Sequence, residues 1–301
     1  MGTAAEPRPA ELPLPGGRAG ASVRLHPLLT GRMIGPPGWV RRQDGRLAWR
    51  RAFGLGVPRR ESLEFPVPAY LFEYPHAGAV LIDTGFHPSV AVDPKKNLGR
   101  LSPTVLKEVR MEPEQSASAQ LRARGIEPAQ VKVVIMTHLH MDHASAISDF
   151  PGATFVLSRA EWAAATSQSQ RDGYVKRQFD HAFDYRLLDF EGPEAESFAT
   201  FGRSFDPFGD GSVRCVYTPG HTLGHLSVVL RLRRREALVA ADAVYLRRDL
   251  NETRLNHRPA DDHLSERSLR EIRQYKRETP DALIIPGHDW DAWEQLDAVY
   301  D

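Results

Sequence analysis

Short runs of apolar, often β-branched residues, separated by glycine, proline and charged residues, dominate the hydrophobic pattern of this chain. The run at 131–136 is nearly continuous and predicts a strand buried on both faces. Similar runs predict further strands at 23–29, 69–74, 79–82, 154–157, 213–217, 226–232, 236–240 and 282–285. The strands at 69–74 and 79–82 are expected to pair, and those at 226–232 and 236–240 to form a hairpin with three arginines at its tip.

Helical patterns occur between these runs. Apolar spacing predicts helices over 114–124, 265–277 and 290–296, the first ending at Gly125. Ser158 and Glu161 have the spacing of a capping box, which predicts a helix that begins after residue 158. Strands and helices alternate in two runs, and this alternation favours two sheets sandwiched between helical layers.

Polar residues that could bind a metal ion or take part in catalysis follow the predicted strands. Five buried strands each end in an acid or a histidine, at Asp83, His138, His221, Asp242 and His288. Loops at strand ends are free to carry polar groups while the strands hold them rigidly. We therefore expect these five side chains to converge.

The densest of these strand ends contains three imidazoles and a carboxylate within six residues: His138, His140, Asp142 and His143. Nitrogen and oxygen donors of this kind bind borderline-soft divalent ions such as zinc. His138 and His140, two apart on an extended segment, project to the same side. A turn after them would direct Asp142 and His143 toward a second ion, so the motif predicts two adjacent metal sites.

Composition and charge limit the range of possible functions. The 301 residues contain 39 Lys+Arg and 39 Asp+Glu, a formal charge of zero, which argues against nucleic-acid or acidic-membrane partners and favours a small, neutral substrate. The single cysteine, Cys215, excludes an internal disulfide and is expected to be a buried strand residue. The sequence shows neither a run of 18 apolar residues nor a signal-peptide pattern, so we expect a cytoplasmic protein.

Two domain-level expectations follow from composition. Residues 1–22 are rich in proline and glycine and poor in large apolar groups, and predict a disordered tail. Residues 23–301 are expected to form a single domain.

Several segments keep more than one interpretation. The arginine-rich stretch 38–60, with Trp39, Trp49 and Phe53, is compatible with a solvated loop, a single-stranded nucleic-acid site, or a loop that lines the active site. Asp83 is either a turn former or a residue that orients a metal ligand. The weakly patterned stretch 166–210 contains His181, which is expected at the surface.

The set His138, His140, Asp142, His143, His221, Asp242 and His288 resembles that of the metallo-β-lactamase superfamily. The resemblance implies an α+β fold, a four-layer αββα sandwich, with two divalent metal ions at one edge. His138, His140 and His221 would hold the first ion, and Asp142, His143 and His288 the second. Asp242 would bridge both, and Asp83 would support the ligands. His225 then lies outside a complete ligand set and is expected to form structural hydrogen bonds.

Within the superfamily, the segment from Asp242 to Tyr245 resembles the quorum-quenching N-acyl homoserine lactonases, in which a tyrosine three residues after the bridging aspartate contacts the substrate carbonyl. This resemblance implies a lactone hydrolase that uses a metal-bridging hydroxide. Tyr245 would stabilise the oxyanion, and Asp142 would carry a proton to the leaving alcohol. Zinc is the expected metal, with iron, cobalt and manganese as alternatives.

The expected partner is a neutral, partly apolar small molecule, with no nucleic acid and no membrane, and a homodimer is compatible with the sequence. A thioester hydrolase of the glyoxalase II kind and a phosphodiesterase are the alternative functions, because both use the same dinuclear centre.

Overall fold

Two mixed β-sheets form the centre of the structure, a computed structural model that describes residues 4–42, 45–46, 48–52, 54–74, 77–99, 108–168, 172–252 and 259–301. Within these residues the first sheet has the strand order β1-β8-β7-β6-β4-β3-β2-β5. Its strands are β1 (Arg8–Pro9), β2 (Arg24–Gly35), β3 (Leu63–Tyr74), β4 (Gly78–Ile82), β5 (Glu108–Arg110), β6 (Val133–Ile135), β7 (Thr154–Ser158) and β8 (Asp184–Leu188). The second sheet has the order β14-β13-β12-β11-β10-β9. It contains β9 (Glu196–Phe198), β10 (Phe201–Phe205), β11 (Val213–Tyr217), β12 (Leu226–Arg231), β13 (Glu236–Ala241) and β14 (Leu283–Pro286).

The main core lies between the two sheets. Alternate residues of β4 face opposite ways, as the two-residue period of a strand requires. Val80 and Ile82 join the inter-sheet core, whereas Leu81 faces the outer layer. Cys215 on β11 belongs to the same inter-sheet core and is fully buried, as the sequence predicted.

The α-helices of the described residues are α1 (Ala48–Ala52), α2 (Ser89–Val92), α3 (Pro94–Leu98), α4 (Ala117–Arg122), α5 (Arg159–Ser167), α6 (Asp262–Glu278) and α7 (Trp290–Glu294). Three of them, α4, α5 and α6, cover the outer faces of the sheets. Residues of α4 and α5 pack on the outer face of the first sheet. Leu269, Ile272 and Tyr275 of α6 pack on the second. The αββα sandwich implied by the sequence is therefore confirmed.

Most predicted elements are present with shifted ends. The strands β3 and β4 pair antiparallel, as do β12 and β13. The turn residues 75 and 76 lie outside the described residues. The helix expected over 114–124 begins only at Ala117, because the Ser116 side chain accepts a hydrogen bond from the Ala119 amide and caps α4 there. None of the helices in the described ranges is both long and apolar enough to span a membrane.

The N-terminal segment differs from the prediction of a disordered tail, which is wrong for residues 4–22. Strand β1 pairs in parallel with β8 at the edge of the first sheet. The amide of Ala10 donates to the carbonyl of Leu187, and that of Leu14 to Pro207. Leu12 and Leu14 also pack against the inter-sheet core. These contacts offset the conformational entropy that the segment loses on ordering, which its own few apolar residues could not offset.

The stretch 166–210 is more regular than its sequence pattern indicated, because it contains all of β8, β9 and β10. Residues 169–171 lie outside the described part of the chain. His181, which was expected at the surface, is half-buried and stacks on Phe183 with ring centroids 4.9 Å apart. Within this stretch, β8 pairs with β7, and Tyr185 and Leu187 of β8 share a core cluster with Phe155 and Leu157 of β7.

Candidate metal centre

The predicted convergence of strand ends occurs at one edge of the sandwich. The C-terminal ends of β4 and β6 lie side by side in the first sheet, and those of β13 and β14 in the second. Asp83 has φ of 56° and Ala241, before Asp242, has φ of 44°. This left-handed backbone costs about 1–2 kcal/mol for a residue with a side chain. Such sharp turns are a common feature of functional sites.

The first donor set consists of His138, His140 and His221, which can offer one ligand atom each within 4.8 Å of one another. His221 Nε2 lies 2.8 Å from His140 Nδ1. The ring of His140 packs against Gly173, which has φ of 99° and where an added Cβ would lie 2.6 Å from the ring. Glycine is therefore required behind this imidazole.

The second donor set consists of Asp142, His143 and His288, again within 4.8 Å. His288 Nε2 lies 3.5 Å from Asp142 Oδ2, and His143 Nε2 lies 3.6 Å from the same oxygen. Asp142 and His143 therefore meet His288 at the second donor set.

Asp242 lies between the two sets. Its Oδ1 is 3.2 Å from His143 Nε2 and 3.2 Å from His288 Nε2. Its Oδ2 is 3.3 Å from His221 Nε2. One carboxylate oxygen therefore faces each donor set, which is the arrangement that a bridging ligand needs.

Three buried polar atoms at this junction test whether the residues fit metal ions. His138 Nε2, His143 Nε2 and Asp242 Oδ1 make no hydrogen bond of acceptable geometry to any described residue, although His143 Nε2 and Asp242 Oδ1 lie 3.2 Å apart. Buried polar atoms without a partner cost free energy, so proteins rarely keep them without a reason. All three point to a place where a cation would satisfy them, and imidazole with carboxylate is a donor set that divalent metals accept.

The electrostatics of the two sets differ. Burial lowers the pKa of His138 and of His221 well below the usual range, and that of His140 to about 4. Burial also disfavours charge on His143 and His288, but the carboxylates of Asp142 and Asp242 outweigh it and raise the pKa of both. The first set therefore presents neutral imidazoles, and the second attracts positive charge.

The pKa of Asp242 is shifted in the opposite direction from that of an ordinary buried acid. Burial alone would raise the pKa of its carboxyl group, but the imidazoles of His288, His143 and His221 hold it well below the usual value. The carboxylate is thus ionised and available to a cation.

Asp83 acts as a support for a candidate ligand, which resolves the two interpretations of its sequence position. Its Oδ2 accepts from Thr137 Oγ1 at 2.7 Å and lies 2.8 Å from His143 Nδ1. Its Oδ1 accepts from the Thr137 amide at 2.8 Å. These bonds direct His143 Nε2 toward the junction.

His225 forms the structural hydrogen bonds that the sequence predicted. Its Nδ1 lies 2.9 Å from Thr218 Oγ1, and its Nε2 accepts from the Asp242 amide at 3.2 Å. Burial lowers the pKa of His225 to about 3, so the imidazole stays neutral and can accept this bond. It thereby fixes the backbone at Asp242.

Tyr245 lies beside the first set. Its hydroxyl is 3.0 Å from His221 Nδ1, and its ring centroid is 5.4 Å from that of His288. His221, Asp242 and Tyr245 line a cleft between the candidate metal centre and α6. Tyr245 therefore contacts both the donor residues and an open space.

An apolar cluster adjoins the second set. Its buried members are Met33, Val40, Phe65, Val67, Phe86, Val90 and Leu98, and Trp39, Met141 and Tyr245 pack against it. Trp39 stacks on Phe65 at 5.6 Å, and Phe65 meets His288 edge-on at 6.3 Å. Of the three interpretations of 38–60, this contact favours a loop that lines the active site. Trp49 is 52% exposed, and Phe53 lies outside the described residues.

Glu161 is a site residue that the sequence pattern misassigned. Ser158 does cap α5 by accepting from the Ala160 amide, but Glu161 does not complete a capping box. Its carboxylate is fully buried and accepts from the Leu139 amide and the Tyr174 and Thr222 hydroxyls. The only local indication of this role was an acidic residue among the apolar residues of a helix. The spacing of Ser158 and Glu161 is equally consistent with a capping box.

Comparisons with known proteins agree with this geometry. The family model described as metallo-beta-lactamase superfamily matches residues 63–288. The N-acyl homoserine lactonase AttM of Rhizobium radiobacter is 33% identical over 234 residues, covering 76% of this chain and 84% of AttM. The N-acyl homoserine lactonase AiiA of Bacillus thuringiensis subsp. kurstaki is 27% identical over 232 residues, covering 75% of this chain and 82% of AiiA.

The fold comparison gives the same result. A crystal structure of a B. thuringiensis AiiA mutant with N-decanoyl-L-homoserine bound at the active site superposes with a TM-score of 0.73 at 21% identity, covering 92% of this chain and 97% of that one. At this identity the likeness establishes the fold. Together with the matched family model and the identity to AttM, it shows that this chain belongs to the metallo-beta-lactamase superfamily.

Proposed function

We propose that this chain is a dinuclear metal-dependent hydrolase that opens the ring of N-acyl homoserine lactones. The observation that carries the proposal is the junction of two donor sets at Asp242, where three buried polar atoms lack a hydrogen bond to the described residues. The relatives named as N-acyl homoserine lactonases support the choice of substrate class.

The proposed metal ligands are the seven residues of the two sets and Asp242. His138, His140 and His221 hold one ion, Asp142, His143 and His288 hold the other, and Asp242 binds both. Zinc suits these nitrogen and oxygen donors, and iron, cobalt and manganese are the alternatives. When bound, two such ions would supply Lewis acidity and would lower the pKa of a bound water toward about 7, which would make it a nucleophile near neutral pH.

Tyr245 is proposed to stabilise the oxyanion that develops on the lactone carbonyl. If His221 binds its ion through Nε2, the ring proton remains on Nδ1 and donates to the Tyr245 oxygen 3.0 Å away. The phenol is then an acceptor toward His221, so its own O–H group can donate to a substrate oxygen. A donor in this role contributes about 3 kcal/mol to the transition state.

Asp142 is proposed to carry a proton to the leaving alcohol. It is the most accessible of the candidate acids, with 11% of its side chain exposed against 4% for Asp242. Its Oδ2 lies near both His143 and His288, so the carboxylate can bind an ion and still face the reacting groups. A positioned carboxylate of this kind acts as a general acid and base.

The apolar cluster is proposed to receive the acyl chain. Phe65 and Met141 place apolar surface directly beside the second donor set, and Trp39 extends it outward. A site with apolar walls and a few convergent polar groups suits a neutral, partly apolar ligand. Tyr245 also packs against this cluster, so the groups proposed for the acyl chain and for the carbonyl adjoin each other.

The test is the initial rate of ring opening of N-decanoyl homoserine lactone, followed by proton release. Zinc-replete protein is compared with the same protein after metal removal, and with the stripped protein after zinc is restored. We expect a rate that depends on zinc and returns with it. Hydrolysis of a glutathione thioester or a phosphodiester, with no lactone rate above the stripped control, would refute the lactonase assignment.

A further inference from the structure

The Glu161 carboxylate joins three chain segments behind the first donor set. Oε1 accepts from the Leu139 amide at 2.9 Å and from the Tyr174 hydroxyl at 3.1 Å. Oε2 accepts from the Thr222 hydroxyl at 2.5 Å. Glu161 itself is anchored in the first turn of α5.

Each of these partners adjoins a residue of the first set. Leu139 lies between His138 and His140, and Thr222 directly follows His221. The Tyr174 ring packs on the His140 ring with centroids 4.9 Å apart. One carboxylate therefore connects the loop that carries two of the imidazoles with the loop that carries the third.

The close approach of the His221 loop to α5 shows that this connection is built into the fold. A Cβ added at Gly224 would lie 1.9 Å from the Glu161 amide nitrogen, so only glycine allows the contact. Burial raises the pKa of the Glu161 carboxyl group, although the hydrogen bonds from Thr222, Leu139 and Tyr174 oppose that shift. Keeping an acid there is costly unless its bonds serve a purpose.

We infer that Glu161 is a positioning residue that sets the spacing of His138, His140 and His221 and so determines metal affinity at the first set alone. The second set has its own supports, since His143 Nδ1 is held by Asp83 and His288 Nδ1 donates to the Pro66 carbonyl. This inference rests on the metal-ligand assignment of the proposed function but not on the substrate.

The test measures zinc affinity by chelator competition in two backgrounds that each retain one donor set. His288→Ala leaves the first set complete, and His221→Ala leaves the second. Glu161→Ala is expected to lower the affinity of the first set about 10–100-fold, the usual loss when a group that orients metal ligands is removed. It is expected to change the affinity of the second set by less than about threefold.

Glu161→Gln should lie between Glu161→Ala and the parent. Its amide oxygen can still accept from Leu139 and Tyr174, while the Thr222 hydroxyl turns to accept from the new NH₂ group. Thr222→Val removes one bond and leaves the carboxylate in place, so it should lower the first-set affinity by a smaller factor. This variant keeps the test decisive if Glu161→Ala does not fold.

The matched control is Asp206→Asn in the turn between β10 and β11. Asp206 also accepts from backbone amides, those of Gly209 and Gly211, but far from either donor set. It should leave both affinities unchanged. Equal losses in the two backgrounds on changing Glu161, or no loss in the first, would overturn the inference. No lactone enters this assay, so a negative lactone test and a negative result here are distinguishable.

Discussion

The two donor sets are supported in different ways. The second set is held at its own ring nitrogens, with His143 Nδ1 at 2.8 Å from Asp83 and His288 Nδ1 at 2.9 Å from the Pro66 carbonyl. The first set also has ring-nitrogen contacts, His138 Nδ1 with Thr137 Oγ1 at 3.1 Å and His221 Nδ1 with the Tyr245 hydroxyl at 3.0 Å. In addition, its two loops are joined behind the rings through the Leu139 amide and the Thr222 hydroxyl. Direct support fixes the tautomer of a ligand, whereas indirect support fixes the distance between loops.

The sets also differ in charge. The first contains only imidazoles, whose pKa values are lowered by burial. The second contains a carboxylate, and the pKa values of its imidazoles are raised by Asp142 and Asp242. Metal binding at the first set should therefore depend on correctly spaced imidazole lone pairs, and metal binding at the second set on negative charge. Asp242 contributes to both sets.

Removing the shared group should have the largest effect. Asp242→Ala takes away the carboxylate that faces His143 and His288 with one oxygen and His221 with the other. We expect the metal content to fall from two ions to one and turnover to fall by about 10³-fold or more, because both Lewis acidity and the nucleophile depend on the pair. Metal analysis and lactone kinetics measure this. Full activity with one ion per chain would contradict the dinuclear proposal.

Tyr245→Phe should separate catalysis from metal binding. The variant keeps the ring that packs against His288 and loses only the hydroxyl beside His221. We expect turnover to fall between about tenfold and a few hundredfold, with metal content unchanged. The measurements are kcat, KM and bound zinc on the same preparation. An unchanged kcat would leave Tyr245 as a packing residue.

Asp83→Asn tests the direct support of the second set. An amide cannot accept from both Thr137 donors and His143, so one buried N–H loses its partner in either orientation. We expect zinc affinity to fall about 10–100-fold in the His221→Ala background, and by a smaller factor in the His288→Ala background, where only Thr137 links Asp83 to His138. Equal losses at both sets would mean that the two are not supported separately.

The sequence was sufficient to locate the candidate centre because its signal is local. His138, His221, Asp242 and His288 each follow an apolar run, and the run determines both the strand and the edge at which the next residue lies. The alternation of strands and helices likewise predicted the layers.

The features that the sequence did not reveal depend on contacts between distant residues. Glu161 fits a capping box with Ser158, yet its partner Thr222 is 61 residues away. The segment at 4–22 looks too poor in apolar groups to fold, but Arg8 and Pro9 pair with a strand more than 170 residues later. Local pattern cannot distinguish between two hydrogen-bonding uses of the same side chain when tertiary contacts decide between them.

A second buried aspartate, Asp249, sharpens the comparison, because among the described residues the charges that act most strongly on its carboxyl group belong to Arg248, Asp289 and Glu252 and not to imidazoles. Asp249 lines the cleft near His221, and burial raises the pKa of its carboxyl group from 3.8 to about 6. The folded chain thus binds this proton more tightly than the unfolded chain does. Its contribution to stability is complete below about pH 3.8 and is lost as the pH rises through 6.

Asp249→Asn keeps an oxygen that can accept from the Leu246 amide but does not ionise. The difference in free energy of unfolding, variant minus wild type, should therefore increase by about 1–2 kcal/mol from pH 5 to pH 8. Urea denaturation of zinc-loaded protein at several pH values measures it, with Asp291→Asn, at an exposed position, as the control for loss of one charge. A difference that stays constant with pH, or that narrows as the pH rises, would show that Asp249 ionises at little cost. Burial would then not explain why the pKa of Asp249 differs from that of Asp242.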